Sequence, residues 1–292
     1  MPEKEPPVVS PLGERPDLCS EARALNLGWI EQFNLRLVRS TFEPGRIDQL
    51  LRFLQRTLGQ SWIYWGTKNL THVVGRQRLP DLQKTPSVLL VANHRSFFDL
   101  YVITALLVRA GLQQRIVFPV RARFFYDSFL GLVINFLMSF LAMYPPIFRE
   151  RKKAAFNRLA LDELSWLLRR GGVFAGLHPE GARKTDDDPY SFLEPQPGIG
   201  RIVFRSRVPV IPAFINGLGN DIARQLRGNF DGTGKSVYVV FGKPIDFGPL
   251  LDQEPSPRAY RAIAQRCMQE IARLGEEERN LRGPETDPPS RS

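Results

Sequence analysis

Residues 87–99 read SVLLVANHRSFFD, and this stretch decides the predicted fold. Its first six residues form a short, almost wholly apolar run, which is typical of a strand buried on both faces of a sheet. A polar loop follows, and a helix predicted over 97–111 ends at Gly111. A buried strand that leads through a tight loop into a helix indicates an α/β protein.

The same alternation continues along the chain. Strands are predicted at 115–120, 172–177, 208–215 and 236–242, and helices at 128–142, 152–170 and 257–282. Strands separated by helices predict an α/β fold with a mainly parallel mixed sheet flanked by helices. We therefore expect one large domain over residues 71–282.

The segment before this domain, residues 19–70, is predicted to form an amphipathic helical hairpin. A first helix over 20–40, with Ser20 as its N-cap, ends before EPGR at 43–46. The second helix carries a regular apolar stripe made of Ile47, Leu50, Leu51, Leu54 and Leu58. It continues into Trp62, Tyr64, Trp65 and Lys68, a group that suits a membrane interface and a packed core equally well. Residues 1–18 and 283–292 are rich in proline and charge and are predicted to be disordered.

The chain is strongly basic, with a formal charge of +10 over 292 residues. Such an excess favours anionic partners, namely phospholipid headgroups, nucleic acid or an acidic carrier protein. Nucleic acid is not expected, because the basic helix at 152–170 lacks interleaved exposed aromatic residues and any zinc or helix-turn-helix pattern. The pattern GTGKS at 232–236 is not a P-loop, since the required first glycine is Asn229.

The longest uncharged stretch, residues 128–148, could lie in the core, dip into a membrane over 128–144, or form a short span. Pro145 and Pro146 shorten it to about 17 residues, the lower limit for a spanning helix. The N-terminus does not have the pattern of a secretory signal. Cys19 and Cys267 lie far apart and are predicted to be free thiols in a reducing compartment. These features predict a protein associated with the cytoplasmic face of a membrane.

His94 and Asp99 are the first candidate site. On one continuous helix their side chains would point about 140° apart. Ser96 and Asp99 fit a capping box, however, so the helix can begin after Ser96 and leave His94 in the loop before it. The histidine can then fold back onto Asp99, as a general base does on its orienting carboxylate. The alternative is a capping aspartate beside an unrelated loop histidine.

The second candidate is GLHPEGARK at 176–184, which follows another predicted strand and should lie at the same edge of the sheet. Arg183 could bind a phosphate with two hydrogen bonds, and Glu180 could hold a hydroxyl or orient Arg183. The third candidate is the basic run at Arg149, Arg151, Lys152 and Lys153. It could hold a phosphate at the membrane face, or it could be a solvated start of a helix.

Together these segments resemble the glycerolipid acyltransferase family, typified by 1-acylglycerol-3-phosphate acyltransferase. The resemblance covers roughly residues 72–245 and includes four blocks in the family's order. They are GRQRLP at 75–80, NHRSFFD at 93–99, HPEGARK at 178–184 and VPVIPAFI at 208–215. Departures are His178 for phenylalanine, Ala182 for threonine, Lys184 for serine and Ala142 for glycine.

The resemblance implies roles for particular residues. His94 would be the general base and Asp99 its partner, while Glu180, Gly181 and Arg183, with Arg149 or Arg151, would bind the acceptor's glycerol phosphate. Pro212 would shape the acyl pocket. No metal and no cofactor is implied, because acyl-CoA or acyl-carrier protein is a co-substrate.

The implied reaction is direct transfer of a fatty acyl group from a thioester to a lysophospholipid hydroxyl, in phospholipid biosynthesis, with phosphatidic acid as the implied product. The expected partners are the membrane phospholipid surface and the acyl carrier. Two alternatives remain: a non-catalytic membrane-binding scaffold of the same fold, and a phospholipid transacylase or hydrolase.

Overall fold

The computed structural model describes residues 12–282, and its centre is a seven-stranded sheet. The strands are β1 (Thr71–Val74), β2 (Val88–Ala92), β3 (Arg115–Arg121), β4 (Met143–Ile147), β5 (Val173–Leu177), β6 (Val210–Asn216) and β7 (Val237–Phe241). Their spatial order is β1-β7-β6-β2-β5-β3-β4. All neighbours are parallel except β6 and β7, which are antiparallel. The predicted mainly parallel mixed sheet is therefore confirmed.

Eleven α-helices lie within the described residues. They are α1 (Leu18–Ala24), α2 (Trp29–Ser40), α3 (Arg46–Leu54), α4 (Gln60–Thr67), α5 (Asp99–Arg109), α6 (Ala122–Phe125), α7 (Phe129–Ser139), α8 (Ala154–Arg170), α9 (Pro197–Ser206), α10 (Ile222–Asp231) and α11 (Pro257–Arg282). A π-helical turn at Gln55–Gly59 joins α3 to α4.

Helices cover both faces of the sheet. The crossover from β2 through α5 to β3 runs in one direction along the sheet, and those through α8 and α9 run in the other. Because such crossovers are right-handed, α5 lies on the face opposite to α8 and α9. α11 packs on α9 and on β6, and α4 packs on α5.

The central strand β2 forms the middle of the core, with all five residues fully buried. It pairs with β5 on one side and β6 on the other. After the strand ends, the Asn93 side chain continues the ladder: its Nδ2 donates to the Ile215 carbonyl at 2.9 Å and its Oδ1 accepts from the Ile215 N–H at 2.8 Å. This buried amide fixes the backbone from which His94 departs.

The N-terminal helices are present, with two differences from the prediction. The helix expected over 20–40 is two helices, α1 and α2, separated at residues 25–28, and the N-cap of α1 is Asp17 rather than Ser20. The second expected helix is correct. Of its stripe, Leu51 is buried while Ile47, Leu50 and Leu58 are exposed.

Part of the segment predicted to be disordered is folded. Residues 12–17 are described, and Arg15 in this segment donates to the buried carboxylate of Glu163 and to Glu43. The indole N–H of Trp166 donates to the Gly13 carbonyl at 2.7 Å. These contacts tie residues 13 and 15 to α8, since the Arg15 guanidinium reaches a carboxylate 148 positions further along the chain. Residues 1–11 and 283–292 lie outside the described part.

The structure adds elements that the sequence pattern did not predict: β1, β4, α6, α9 and α10. β1 and β4 are the two edge strands. β4 contains Pro145 and Pro146, and proline is compatible with a strand at a sheet edge, where one row of N–H groups has no partner strand.

The apolar helix α7 has 11 residues, which corresponds to about 16 Å of helix. A hydrocarbon core is about 30 Å thick. Within residues 12–282, none of the helices combines the length and apolar character needed to cross a bilayer.

Candidate active site

The candidate site lies at the carboxyl edge of the sheet, where β2 and β5 end. His94 leaves β2 in a short loop, and Asp99 is the first residue of α5. The loop folds back as expected, so that His94 Nδ1 lies 3.3 Å from Asp99 Oδ2. The same oxygen accepts from the backbone N–H groups of Arg95 and Ser96, both at 2.7 Å. Asp99 therefore holds the loop and the imidazole together.

Ser96 differs in detail from the predicted N-cap, because α5 begins at Asp99 after Phe98. Its hydroxyl accepts from the Phe98 N–H at 3.2 Å and donates to the Gly219 carbonyl at 2.9 Å. The reciprocal half of the predicted capping box is present, since the Asp99 carboxylate accepts from the Ser96 N–H.

His94 and Asp99, the His94–Asp99 dyad, have the charge states of a general base and its partner. Burial and the nearby charge of Arg183 lower the pKa of His94 to about 4, against a smaller opposing effect from a backbone hydrogen bond at Ser96. Burial raises the pKa of Asp99 to about 6, opposed chiefly by His178. At neutral pH the imidazole is neutral and the carboxylate ionised. Because Asp99 accepts the Nδ1 proton, His94 Nε2 carries a free lone pair.

A second imidazole, His178, stacks on His94. The ring centroids are 3.8 Å apart and the planes differ by 8°. His178 Nδ1 lies 3.0 Å from the Ala92 carbonyl, which can only accept, so this nitrogen carries the proton. Burial and the neighbouring His94 lower the pKa of His178 to about 3. From the sequence we noted His178 as a departure from phenylalanine but gave it no role.

These residues also form a group that could be tested as a metal site. Ligand atoms of His94, Asp99 and His178 all lie within 4.8 Å of one another. An imidazole binds a metal through a lone pair in the plane of its ring. Because the two rings are stacked in parallel, a single ion cannot lie in both planes. The arrangement therefore suits a general-base histidine stacked on a second imidazole better than it suits a metal centre.

Glu180 supports the dyad from below. Its Oε1 accepts from the His94 N–H at 2.9 Å and its Oε2 accepts from the Leu193 N–H at 2.8 Å. The side chain is buried, and burial raises its pKa against those two bonds. Since both oxygens are engaged, the geometry favours a positioning role for Glu180 over the direct contact with the acceptor that the resemblance implies.

Gly181 makes the turn that follows Glu180. Its φ is +67°, and a Cβ at this position would lie 2.8 Å from Gln196 Cγ. A left-handed backbone and a crowded Cβ position both favour glycine. The turn allows the next residues to return across the carboxyl edge.

Arg183 lies beside the dyad, because its charge is among the causes that lower the pKa of His94. Its Nη1 donates to Asn220 Oδ1 at 2.9 Å, and the same oxygen accepts from the Phe97 N–H at 3.1 Å. Arg183 is exposed and keeps further donors for a ligand. Asn220, which we did not identify from the sequence, ties this arginine to the loop of His94.

The basic residues after β4 lie at the same edge but further from His94. Arg149 and Arg151 are exposed beyond the end of β4, three strands away from β2. Arg121, the last residue of β3, and Arg123, in α6, lie one strand nearer and were not predicted. Among residues 12–282 no acidic side chain pairs with these four arginines. Two arginines directly after a predicted strand were the signal that could have found them.

Pro212 is buried within β6, opposite Val91 of β2. Its ring lies next to Gly242, where an added Cβ would come within 2.6 Å of Pro212 Cγ. The role of Pro212 in an acyl pocket stays a prediction.

Arg95 forms hydrogen bonds with the loop that follows Arg183. Its guanidinium donates to Asp186 Oδ1 at 2.8 Å and to the carbonyls of Asp186 and Asp188, each at 2.7 Å. Lys184 also pairs with Asp186, and these contacts hold the pKa of Asp186 well below its ordinary value. The loop over residues 184–191 is therefore tied to the loop of His94.

A neutral histidine oriented by a buried carboxylate at the carboxyl edge of an α/β sheet defines a site suited to base catalysis on a hydroxyl group. A family model described as Acyltransferase matches residues 71–216, half of the 292-residue chain. The chain therefore belongs to the acyltransferase family, which confirms the resemblance drawn from its four blocks.

The fold agrees with this family. The crystal structure of the 1-acyl-sn-glycerophosphate (LPA) acyltransferase PlsC from Thermotoga maritima matches with a TM-score of 0.52 at 20% sequence identity. The match covers 92% of this chain and 95% of that chain. No curated protein shows significant similarity.

Proposed function

We propose that this acyltransferase moves a fatty acyl group from acyl-CoA or acyl-carrier protein to the hydroxyl of 1-acylglycerol-3-phosphate or a related lysophospholipid. The observation that carries the proposal is the His94–Asp99 dyad with Arg183 beside it. The base can remove the proton of a hydroxyl nucleophile, and the arginine can bind a phosphate on the same substrate.

In the proposed reaction, His94 Nε2 takes the proton of the acceptor hydroxyl as its oxygen attacks the thioester carbonyl. The tetrahedral intermediate then collapses, the carbon–sulfur bond breaks, and the imidazolium returns the proton to the leaving thiolate. The products are an ester and a free thiol. Asp99 stabilises the transient imidazolium, and Glu180 and His178 hold the imidazole in place.

The arginines at this edge, which would bind the phosphate, lie at increasing distances from the strand β2 that leads to His94. Neighbouring strands lie about 4.8 Å apart, so the end of β3 is about 10 Å from β2 and the end of β4 about 14 Å. The phosphate and the reacting hydroxyl of a lysophosphatidic acid are only a few bonds apart. Arg183, followed by Arg121 and Arg123, is therefore better placed than Arg149 or Arg151 for the phosphate.

A membrane surface is the proposed location of the reaction. Large apolar side chains are exposed on α2 and α7, which pack against each other. They are Trp29, Phe33 and Leu37 on α2, and Phe129, Leu130, Phe136 and Leu137 on α7. Exposed apolar residues on two helices that pack against each other favour docking on lipid.

The test is to mix purified protein with acyl-CoA and lysophosphatidic acid and to measure free thiol and phosphatidic acid. We expect His94→Ala to lose on the order of 10²–10⁴ in rate, the usual contribution of a general base. Arg258→Gln, an exposed change on α11, is the control.

The outcomes separate the alternatives. No product from any lysolipid acceptor with either carrier would favour the non-catalytic scaffold. Product formed from an intact phospholipid donor without a thioester would favour a transacylase or hydrolase. Full activity in His94→Ala would overturn the mechanism.

A further inference from the structure

A groove of about 390 Å³ runs along α3, far from the dyad. Its lining includes Gly45, Asp48, Arg52 and Arg56. α3 packs on β3, and Arg52 lies against Gly172, directly before β5. Gly172 and Arg115 mark the amino ends of β5 and β3, whereas His94 follows the carboxyl end of the parallel strand β2. The groove is therefore at the opposite edge of the sheet from the candidate active site.

The groove has more cations than the protein itself neutralises. Asp48 is the buried carboxylate, and its Oδ2 accepts from Arg52 at 2.8 Å. The neighbouring Arg115 is completely buried, and Asp48 and Arg52 are the charged groups that act on its pKa. Burial lowers this pKa to about 10, so the guanidinium stays charged at neutral pH. Among the described residues Glu43 also acts on this cluster but pairs with Arg15, which leaves Asp48 to face four arginines: Arg52, Arg56, Arg115 and Arg170.

Several guanidinium donors here have no acceptor. The buried Nε atoms of Arg52, Arg56 and Arg115, and Nη1 of Arg115, lack a hydrogen-bond partner within residues 12–282. Asp48 Oδ1 is also unpaired, and a water molecule can serve it. A water molecule cannot balance surplus positive charge, whereas an anion can. Buried charges without a partner are costly in a folded protein, which favours a bound anion.

The start of α3 adds to the positive electrostatic potential of the groove. Gly45 is its N-cap and offers no side-chain hydrogen bond to the first turn. The free N–H groups and the helix dipole favour a phosphate at this end. The phosphodiester of a phospholipid has two free oxygens, which can accept from the groove-lining guanidinium groups of Arg52 and Arg56 at once.

The surroundings indicate where the phosphate comes from. Phe53 lines the groove and Leu50 lies three positions before it on α3, and both side chains are more than half exposed. We propose that the groove binds the phosphate of an anionic phospholipid headgroup, with the acyl chains against Leu50 and Phe53. This second phosphate site is separate from that of the acceptor and does not depend on turnover.

The experiment measures binding to vesicles of phosphatidylcholine alone or with phosphatidylglycerol, whose headgroup is neither proposed substrate nor product. We expect wild type to bind the anionic vesicles more tightly. Arg52→Gln/Arg56→Gln should weaken that binding by about 10- to 30-fold, the size expected for two cations near an anionic surface. Arg56→Gln alone should lose part of it, and it breaks no ion pair within residues 12–282.

The matched control is Arg258→Gln/Arg261→Gln, which removes two exposed arginines from α11. It should change binding by less than about threefold, since distant charges are largely screened. Equal losses in the two double variants would overturn the site. Stabilisation of wild type by inorganic phosphate, without selective binding to anionic vesicles, would overturn the lipid assignment and identify a free ion as the ligand. Turnover of a soluble short-chain acceptor by the same variants tests the proposed function separately.

Discussion

At the scale of single residues, the stacked imidazoles distinguish this site from a simple histidine–carboxylate pair. His94 is held on three sides: by Asp99 at Nδ1, by Glu180 at its backbone N–H, and by His178 across its ring face. Asp99 comes from the start of α5, whereas Glu180 and His178 both come from the loop that follows β5. The direction of Nε2 is therefore set by packing as well as by the local sequence.

His178 is expected to act through the plane of the His94 ring. His178→Ala removes the stacked ring and should lower kcat by roughly 10- to 100-fold with little change in KM, because small misplacements of a catalytic group are costly. His178→Phe keeps an aromatic surface and should retain most of kcat. Steady-state kinetics of both variants, with thermal melting as a control for folding, measures this. A phenylalanine variant as slow as the alanine variant would show that the His178 nitrogen takes part.

The dyad predicts the pH dependence of the reaction. Catalysis needs neutral His94 and ionised Asp99, whose pKa is raised to about 6. kcat/KM should be level above that pH and fall as the pair gains a proton below it. Arg183 lowers the pKa of both groups, so Arg183→Gln should move the acid limb to higher pH, apart from any loss in acceptor binding. A profile of Arg183→Gln with an unmoved limb would place Arg183 outside the site.

At the scale of elements, α7 has a polar side that the rest of the protein uses. Asn135 is buried and its side-chain oxygen accepts from the Met143 N–H at 3.2 Å, which ties α7 to β4. Phe129 and Leu137 point away from this contact and are exposed. One helix thus anchors an edge strand with one face and presents an apolar surface with the other.

This surface can be tested with paired substitutions. Phe129→Ser/Leu137→Ser should weaken binding to neutral vesicles on the order of 100-fold, because each large apolar side chain contributes about 1.5 kcal/mol on leaving water. The matched control is Phe230→Ser/Leu281→Ser, which replaces two equally exposed residues on α10 and α11. Similar losses in both pairs would mean that binding is not localised on α7.

At the scale of the whole molecule, a buried carboxylate connects the N-terminal segment to the domain. Glu163 of α8 is fully buried and accepts from Arg15, Arg39 and the Tyr144 hydroxyl. These three donors come from the N-terminal segment, α2 and β4. The contact therefore joins parts of the chain that are distant in sequence.

Removing this charge should destabilise the whole fold. Glu163→Gln leaves Arg15 and Arg39 without their carboxylate, and breaking a buried pair costs about 3 kcal/mol or more. Urea denaturation should show this loss. In limited proteolysis, Glu163→Gln should be cut within residues 12–17 faster than the wild type. Glu276→Gln, an exposed change on α11, should alter stability by less than about 0.5 kcal/mol. Unchanged stability in Glu163→Gln would mean that this contact contributes little.

Local sequence determined the central strands, α5, the apolar stretch α7 and the fold-back of His94 onto Asp99. These features depend on residues within a few positions of one another: hydrophobic runs define strands, and an Asp three residues after a Ser closes the loop. The edge strands could not be found in this way. Their short or proline-containing sequences are stabilised by pairing with β7 and β3, which are distant in the chain.

Only the tertiary structure decided that His178 stacks on His94, that Glu180 braces its backbone, and that Asn220 holds Arg183. It also decided that Ile47 and Leu50 of α3 and the apolar face of α7 are exposed, while Leu51 is buried. The physical reason is the same in each case. A side chain's partner across 37 to 86 positions depends on strand order and crossover direction, which no local pattern encodes.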